Sequence, residues 1–137
     1  MKKKFDIQLM GFITTFERLT GAHAKDIFYD KDKRLVFIVN HGEAGKAIGK
    51  KGSNINKLSY MIKKNIKIIE YNDDLIAFVK NIIEPLKADS YELEGEQLVI
   101  KSVSKTVKAA LIGRDRANLK QLNAIVKRYF PIDVVVS

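Results

Sequence analysis

Apolar residues recur along the first part of the chain with the periods of a helix followed by strands. An amphipathic helix is predicted over residues 5–19, where apolar side chains stand three and four positions apart. These residues are Leu9, Phe12, Phe16 and Leu19. Strands are predicted at 26–29 and 34–39 on both sides of a polar turn, residues 30–33.

Two further helices and a strand complete this first half. A short helix is predicted to end at Ile48, where a tight break of two glycines and two lysines follows at 49–52. The next helix is expected over residues 53–64, capped by the Ser53 hydroxyl. Its inward residues are predicted to be Ile55, Leu58, Met61 and Ile62. A third strand is predicted over residues 66–70.

The second half repeats this order of elements. The predicted helices cover 74–84, 104–112 and 117–128, and the predicted strands cover 88–93, 97–103 and 132–136. Pro85 ends the first of these helices, and Ser104 caps the second. An offset of 64 residues places one half on the other. The aligned pairs include Ile48-Gly49 with Ile112-Gly113, Ile55 with Leu119, Leu58 with Leu122, and Ile62 with Val126.

The chain is therefore predicted to hold two copies of one unit, residues 1–71 and residues 72–137. Each is an α+β sandwich in which helices cover one face of a three-stranded sheet. Because the linker at 71–73 is short, the two units are expected to pack as one rigid body. The whole chain is expected to be a monomer.

Basic residues are concentrated in two blocks. The chain carries 25 Lys and Arg against 16 Asp and Glu, which gives a net charge of +9. Residues 46–67 contain seven lysines and no acidic residue, and residues 101–128 contain eight basic residues and one acid, Asp115. Two such blocks are typical of a surface that binds a polyanion, although lysine-rich helix faces also serve solubility alone.

The glycine break is the most informative motif. Glycine allows left-handed backbone angles and the close approach of another backbone. Helix N–H groups from Ser53 onward attract an anion, and Lys50 and Lys51 add charge that holds phosphates without reading bases. Ile48 and Ile55 are expected to form an apolar floor for an unstacked base. The predicted RNA contacts of the first unit are Ile48, Gly49, Lys50, Lys51, Gly52, Ser53, Ile55 and Lys57.

This motif, with its place between two helices, resembles the RNA-binding KH domain in its prokaryotic, type II form. The KH signature is an isoleucine, a Gly-x-x-Gly loop and a following hydrophobe at these distances. Two such units in tandem, with the ending at 127–134, resemble the archaeal NusA-like transcription factors. The resemblance implies single-stranded RNA binding in transcription termination or antitermination, with RNA polymerase or a transcription complex as a further partner.

The loop of the second unit, residues 113–116, departs from the signature. It reads Gly-Arg-Asp-Arg, so Arg116 replaces the second glycine. A side chain there is expected to hinder the approach of a phosphate, and Asp115 repels one, whereas the two arginines attract it. Two roles of the second unit stay open: it clamps RNA itself, or it mainly supports the first unit. The candidate contacts here are Gly113, Arg114, Arg116 and Lys120.

Other kinds of site are excluded or disfavoured by the residues present. A nucleotide-binding phosphate loop needs four residues between its glycines, but Gly45 and Gly49 are separated by three, and Lys51 stands where the hydroxyl belongs. The chain has no cysteine, which excludes disulfides, cysteine-ligated zinc and thiol catalysis. Apolar runs such as Leu35–Val39 are far shorter than the ~20 residues that cross a bilayer. A cytoplasmic protein without membrane contact is expected.

Isolated polar and aromatic residues favour ordinary structural roles. His23 and His41 are expected to be surface residues, because neither has a partner at metal-ligand spacing. Tyr60 and Tyr129 are expected to be packing residues. Three acids are expected to form a solvated strand edge rather than a metal site. They are Glu92, Glu94 and Glu96.

Three functions are consistent with these observations. The first is an RNA-binding transcription factor, and the second is a ribosome-associated or assembly KH protein with a structured RNA target. The third is an RNA-processing enzyme or a subunit of one. No Ser–His–Asp or paired-carboxylate arrangement stands out, so we expect a protein that is not an enzyme and that needs no cofactor or metal.

Overall fold

The chain folds as two successive units, residues 1–72 and residues 73–137, with the same order of elements. The computed structural model describes the backbone of residues 2–137 and the side chains of residues 7–137. Each unit runs helix, strand, strand, helix, helix, strand. This confirms the α+β fold predicted from the sequence.

The bounds of the elements lie close to the predicted ones. In the first unit, α1 spans Lys2–Thr20, β1 Ala24–Tyr29, β2 Leu35–Val39, α2 Ala44–Ile48, α3 Ser53–Ile62 and β3 Ile66–Glu70. In the second, α4 spans Leu75–Ile83, β4 Ser90–Glu94, β5 Gln97–Lys101, α5 Lys105–Ile112, α6 Ala117–Val126 and β6 Asp133–Val136. Single 3₁₀ turns, Lys50–Gly52 and Arg114–Arg116, join α2 to α3 and α5 to α6.

Both sheets have the same topology. Their strand orders are β1-β2-β3 and β4-β5-β6, with the first pair antiparallel and the second pair parallel. Parallel neighbours need a crossover connection that passes over the sheet. In each unit that crossover contains the two helices and the glycine turn between them, so the turn is held by helices that pack on the sheet.

The core of the first unit is centred on a stacked aromatic pair. The ring centres of Phe16 in α1 and Phe37 in β2 lie 4.3 Å apart, and the angle between the ring planes is 13°. Both side chains are fully buried, so α1 is fixed against the central strand. The buried cluster around them comprises Phe16, Ala22, Leu35, Phe37, Val39, Ala47 and Leu58. Ala47 and Leu58 bring the two helices that flank the glycine turn onto this core.

A buried carboxylate shapes the turn between β1 and β2. Asp30 accepts hydrogen bonds from the backbone N–H groups of Asp32 and Arg34, both at 2.9 Å. The Arg34 Nε donates to the second carboxylate oxygen at 2.7 Å. These bonds compensate for the burial of the charge, because its oxygens have found donors. The pattern of polar residues predicted the turn but not this network.

In the second unit, the helices are fixed at their ends by side chains. Asp74 caps α4 by accepting from the Ala77 N–H at 3.0 Å, and Ser104 caps α5 by accepting from the Val107 N–H at 3.2 Å. The Ser104 cap was predicted from the sequence and is confirmed. The Phe78 ring packs edge-on against Tyr129, 5.6 Å between ring centres. Tyr129 is therefore a packing residue, as predicted.

Three sequence predictions for α3 are wrong. Ser53 was predicted to cap α3 through its hydroxyl, but the residue before the helix is Gly52 and no side chain caps this helix. The Ser53 N–H instead donates to the Lys50 carbonyl inside the turn. Met61 is 53% exposed, because the buried face is centred on Leu58 and Met61 lies at its flank. Tyr60, which was expected to pack, is 85% exposed.

Three elements end two residues before their predicted C-terminal residue: α3 ends at Ile62, α6 at Val126 and β5 at Lys101. The exposed fraction of Val103, which was assigned to that strand, is 90%.

Candidate nucleic-acid interface

The turn between α2 and α3 depends on a glycine at its first position. Gly49 has φ 77° and ψ 169°, a region of backbone space that is essentially restricted to glycine. A Cβ on Gly49 would lie 2.8 Å from the backbone nitrogen of Asn54 and 2.8 Å from the Ser53 Oγ. The first glycine is therefore required for the fold of the turn itself.

An asparagine side chain closes the turn. The Asn54 Nδ2 donates to the carbonyl oxygen of Lys46 at 2.9 Å, so it joins the first turn of α3 to α2. The bond holds together the two helices that present the glycine turn, and it restricts how far the turn can open.

The second unit contains the same device. The Asn118 Nδ2 donates to the Ala110 carbonyl at 2.7 Å, and a Cβ on Gly113 would lie 2.7 Å from the Asn118 side chain. Asn118 stands 64 residues after Asn54, which is the repeat offset. Sequence reasoning missed both asparagines, although their occurrence at equivalent positions in the two halves was a usable signal.

The two turns also share their backbone angles. The φ/ψ values of Gly49 and Gly113 are 77°/169° and 75°/171°, and those of Lys51 and Asp115 are 54°/30° and 55°/28°. At the fourth position, Gly52 and Arg116 have 76°/16° and 64°/19°. Losing the second glycine therefore leaves the path of the second loop unchanged.

The second glycine of the first loop is not required by local packing. A Cβ on Gly52 would meet the Asn56 and Ile55 side chains at 3.6 Å, which is ordinary contact. Its left-handed angles disfavour other residues by about 1–2 kcal/mol, yet Arg116 adopts them in the second unit. What Gly52 provides beyond this conformational ease is a loop surface with no side chain on it.

The side chains predicted to contact RNA gather around each turn. Around the first, Lys50, Lys51, Ser53 and Lys57 are exposed, and Ile55 is half-buried. Ile48, at the end of α2, is 38% exposed, although it is a large aliphatic residue. Around the second, Gly113 is half-buried, and Arg114, Arg116 and Lys120 are exposed. Each group lies within one turn–helix segment, so the structure brings the members of each group together.

The helices that follow the two turns begin differently from α4 and α5. Side chains cap α4 and α5, whereas α3 and α6 begin after Gly52 and Arg116 without a side-chain cap. No side-chain oxygen thus accepts a capping hydrogen bond from the first N–H groups of these two helices, although Asp115 places a carboxylate in the turn before α6. An exposed basic turn at such an end favours an anion.

An ion-paired cluster supports α2 from its N-terminal end. Glu43 accepts from the His23 backbone N–H at 2.8 Å and lies 3.1 Å from the His23 Nδ1 and 3.7 Å from the Lys46 Nζ. The pKa of the Glu43 carboxyl is lowered below its usual value of 4.5, chiefly by the hydrogen bond from the His23 backbone N–H and next by the hydrogen bond with the His23 ring. The cluster ties the loop after α1 to the start of α2.

The remaining polar candidates have structural surroundings. His23 and His41 are exposed, as predicted, and each lies beside a glutamate, with 3.8 Å between the His41 Nδ1 and the Glu70 Oε2. Glu92 pairs with Lys101 across the exposed edge of the second sheet at 3.3 Å. No group of three metal-ligating side chains occurs among residues 7–137. None of the helices in the part of the chain that is described has the length and apolar character needed to cross a membrane.

Comparison with known proteins assigns the chain to a family. The model of the KH domain family matches residues 13–90, more than half of the chain. The crystal structure of APE1850 is similar to this fold, with a TM-score of 0.73 and 34% sequence identity. The match covers 93% of this chain and 96% of that one. The chain therefore belongs to the KH domain family of RNA-binding proteins.

Within that family, the relatives are archaeal. A protein from Methanococcus vannielii is 34% identical over 93% of this chain and 75% of its own length, and one from Methanocaldococcus jannaschii is 32% identical over 93% and 69%. A third, from Thermoplasma acidophilum, is 23% identical over 95% of this chain. All three bear the name "Probable transcription termination protein NusA". The chain is thus NusA-like, as its sequence indicated.

Proposed function

We propose that the chain binds single-stranded RNA through the turn at 49–52 and the start of α3, and that it acts on transcription. The observation that carries the proposal is the exposed pair Lys50 and Lys51 in a glycine-bounded turn, directly before a helix without a side-chain cap. Such a turn offers phosphates positive charge, a helix dipole and a close approach at the same place.

Each residue around this turn receives a role from its position. Lys50 and Lys51 neutralise phosphates, and Gly52 leaves room for the RNA backbone to come close to the chain. Ile48 and Ile55 supply apolar surface on which an unstacked base rests. Ser53 and Lys57, exposed on the first turns of α3, extend the polar contact surface along the helix.

The second turn is proposed as a weaker contact. Its backbone has the same path, but the Arg116 side chain occupies the surface that Gly52 leaves bare, and Asp115 repels phosphate. Arg114 and Arg116 still attract the RNA backbone. Lys120, one turn into α6, corresponds to Asn56 of the first unit and adds charge to this second surface.

Charge reversal in the first turn tests the proposal. The double variant Lys50→Asp, Lys51→Asp should reduce affinity for a single-stranded RNA strongly, since it replaces two phosphate contacts by repulsion. An aspartate is compatible with the left-handed angles at 51, because Asp115 has those angles in the second unit. Fluorescence anisotropy with labelled RNA measures the effect, and thermal unfolding confirms that the variant folds.

The matched control is Arg114→Asp with Arg116→Asp. It introduces the same change of charge into a turn of the same shape, so unspecific electrostatics would weaken binding equally in both variants. A larger loss of RNA affinity from the arginine pair would contradict the assignment of the turn at 49–52 as the principal RNA-binding turn, or clamp.

The role in transcription rests on the names of the archaeal relatives. We propose that the target is nascent RNA, that RNA polymerase or a transcription complex is the further partner, and that no catalysis is involved. Crosslinking in cells distinguishes this role from the alternatives, because a ribosome-associated protein would recover ribosomal RNA instead. Turnover of RNA in the presence of ATP and magnesium would favour the RNA-processing alternative.

A further inference from the structure

Tyr60 differs from the other tyrosines of this protein. The chain has five, and four of them have a ring contact within their own unit. These are Tyr29 with the Lys64 Nζ at 5.5 Å, Tyr71 with the Lys25 Nζ at 4.5 Å, Tyr91 with the Lys80 Nζ at 5.1 Å, and Tyr129 with the Phe78 ring at 5.6 Å. The Tyr60 side chain is 85% exposed, and it makes no hydrogen bond or ring contact among residues 7–137.

The position of Tyr60 connects it to the proposed clamp. Ser53, Lys57 and Tyr60 are all exposed and stand four and three residues apart, so they follow one face of α3 away from the turn at 49–52. At about 1.5 Å per residue, Tyr60 lies roughly 10 Å along the helix from Ser53. This face belongs to the block of residues 46–67, which contains seven lysines and no acidic residue.

The second unit shows that the fold does not need an aromatic ring at this position. The repeat offset of 64 places Ala124 opposite Tyr60, and Ala124 is also exposed on its helix. The same offset places Gln121 opposite Lys57. The first unit thus carries an aromatic ring and a positive charge on this face, where the second unit has an alanine and a neutral glutamine.

We propose that Tyr60 stacks against an unpaired base of an RNA strand that leaves the turn at 49–52 and follows this face of α3. The inference rests on the proposed RNA binding of that turn and extends its surface along the helix. Stacking on an aromatic ring tolerates any base, because every base has a π-face. A polyanion is favoured over a protein partner because every charged residue of the block is basic.

Oligonucleotides of two lengths separate this contact from the clamp. A KH turn clamps about four nucleotides, so an RNA of about ten nucleotides reaches Tyr60 and one of four does not. Tyr60→Ala should lower the affinity for the longer RNA by about 5- to 150-fold, the range that loss of one stacked base gives, and leave the affinity for the shorter RNA unchanged. Tyr60→Phe should retain binding of both.

The clamp variant makes the outcomes distinguishable. Lys50→Asp with Lys51→Asp should weaken binding of both lengths. If it does so while Tyr60→Ala changes neither, the stacking inference is overturned and the proposed clamp remains, and contact with a protein partner becomes the next role to test for the ring. If neither variant changes the affinity for either RNA, both proposals fall.

A spectroscopic measurement reports the contact directly. The chain has no tryptophan, so Tyr60→Trp introduces a single tryptophan at the proposed stacking position, and its emission can be excited apart from that of the remaining tyrosines. Its emission should be quenched by the longer RNA and not by the shorter one. Ala124→Trp is the matched control at the equivalent position of the second unit and should respond less. Absence of quenching at position 60 with RNA bound, or equal quenching at both positions, would overturn the inference.

Discussion

Gly49 and Asn54 approach each other so closely that no side chain fits between them. A Cβ on Gly49 would lie 2.8 Å from the Asn54 backbone nitrogen and 2.9 Å from its side-chain Cγ, and the Asn54 amide in turn donates to the Lys46 carbonyl. One glycine and one asparagine thereby set the angle at which α2 meets α3. The positions of Lys50 and Lys51 follow from that angle.

The two glycines of the first loop should therefore respond differently to the same substitution. Gly49→Ala faces a steric clash and strained angles and should reduce the free energy of unfolding by about 1–3 kcal/mol or more. Gly52→Ala faces only the left-handed penalty and should reduce it by roughly 1 kcal/mol. Urea unfolding of both variants measures the difference. Equal losses would mean that contact with Asn54 does not define the turn.

The hydrogen bonds of Asn54 and Asn118 should contribute equally to stability, but the bond of Asn54 should contribute more to RNA binding. Asn54→Ala and Asn118→Ala each remove one hydrogen bond and should each reduce the free energy of unfolding by about 1 kcal/mol. Because Asn54 holds the proposed principal clamp, its removal should also weaken RNA binding more than removal of Asn118. Asn56→Ala, an exposed change nearby, is the control for stability. Anisotropy titrations at matched temperature give the comparison.

The affinity for RNA should depend on salt. If the lysines of residues 46–67 neutralise about four phosphates, log affinity should fall with log salt at a slope of roughly −3 for a single strand. Lys50→Asp with Lys51→Asp should make the slope shallower, because fewer counterions are released. A slope near zero in the unmodified protein would show that the basic block is a solvated face only.

Stability should fall in acid through Glu43. Hydrogen bonds from His23 lower the pKa of this carboxyl in the folded state, so ionised Glu43 stabilises the fold above its usual pKa of 4.5. That contribution should be lost as the pH falls from about 4.5 through the lowered folded-state pKa. Glu43→Gln should remove this part of the pH dependence, which unfolding curves between about pH 6 and 3 record. An unchanged profile in the variant would assign acid sensitivity to other carboxylates.

Many structural features of this protein are determined by residues that are close together in the chain, and these features could be predicted from the sequence. The 64-residue repeat, the order of elements, the Ser104 cap and the break at 49–52 all depend on residues near each other in the chain, because periodicity, caps and glycine turns are local properties. The family resemblance carried by the Gly-x-x-Gly turn was confirmed by the comparisons.

Only the tertiary structure decided what each turn residue is for. Hydrogen bonds across eight residues, such as those of Asn54 and Asn118, depend on the angle between two helices and leave no period in the sequence. Ser53 was predicted to cap α3, but the turn uses its N–H internally. The exposure of Tyr60 depends on which face of α3 the core covers, and that face is set by packing on Phe37 and its neighbours in the sheet rather than by α3 alone.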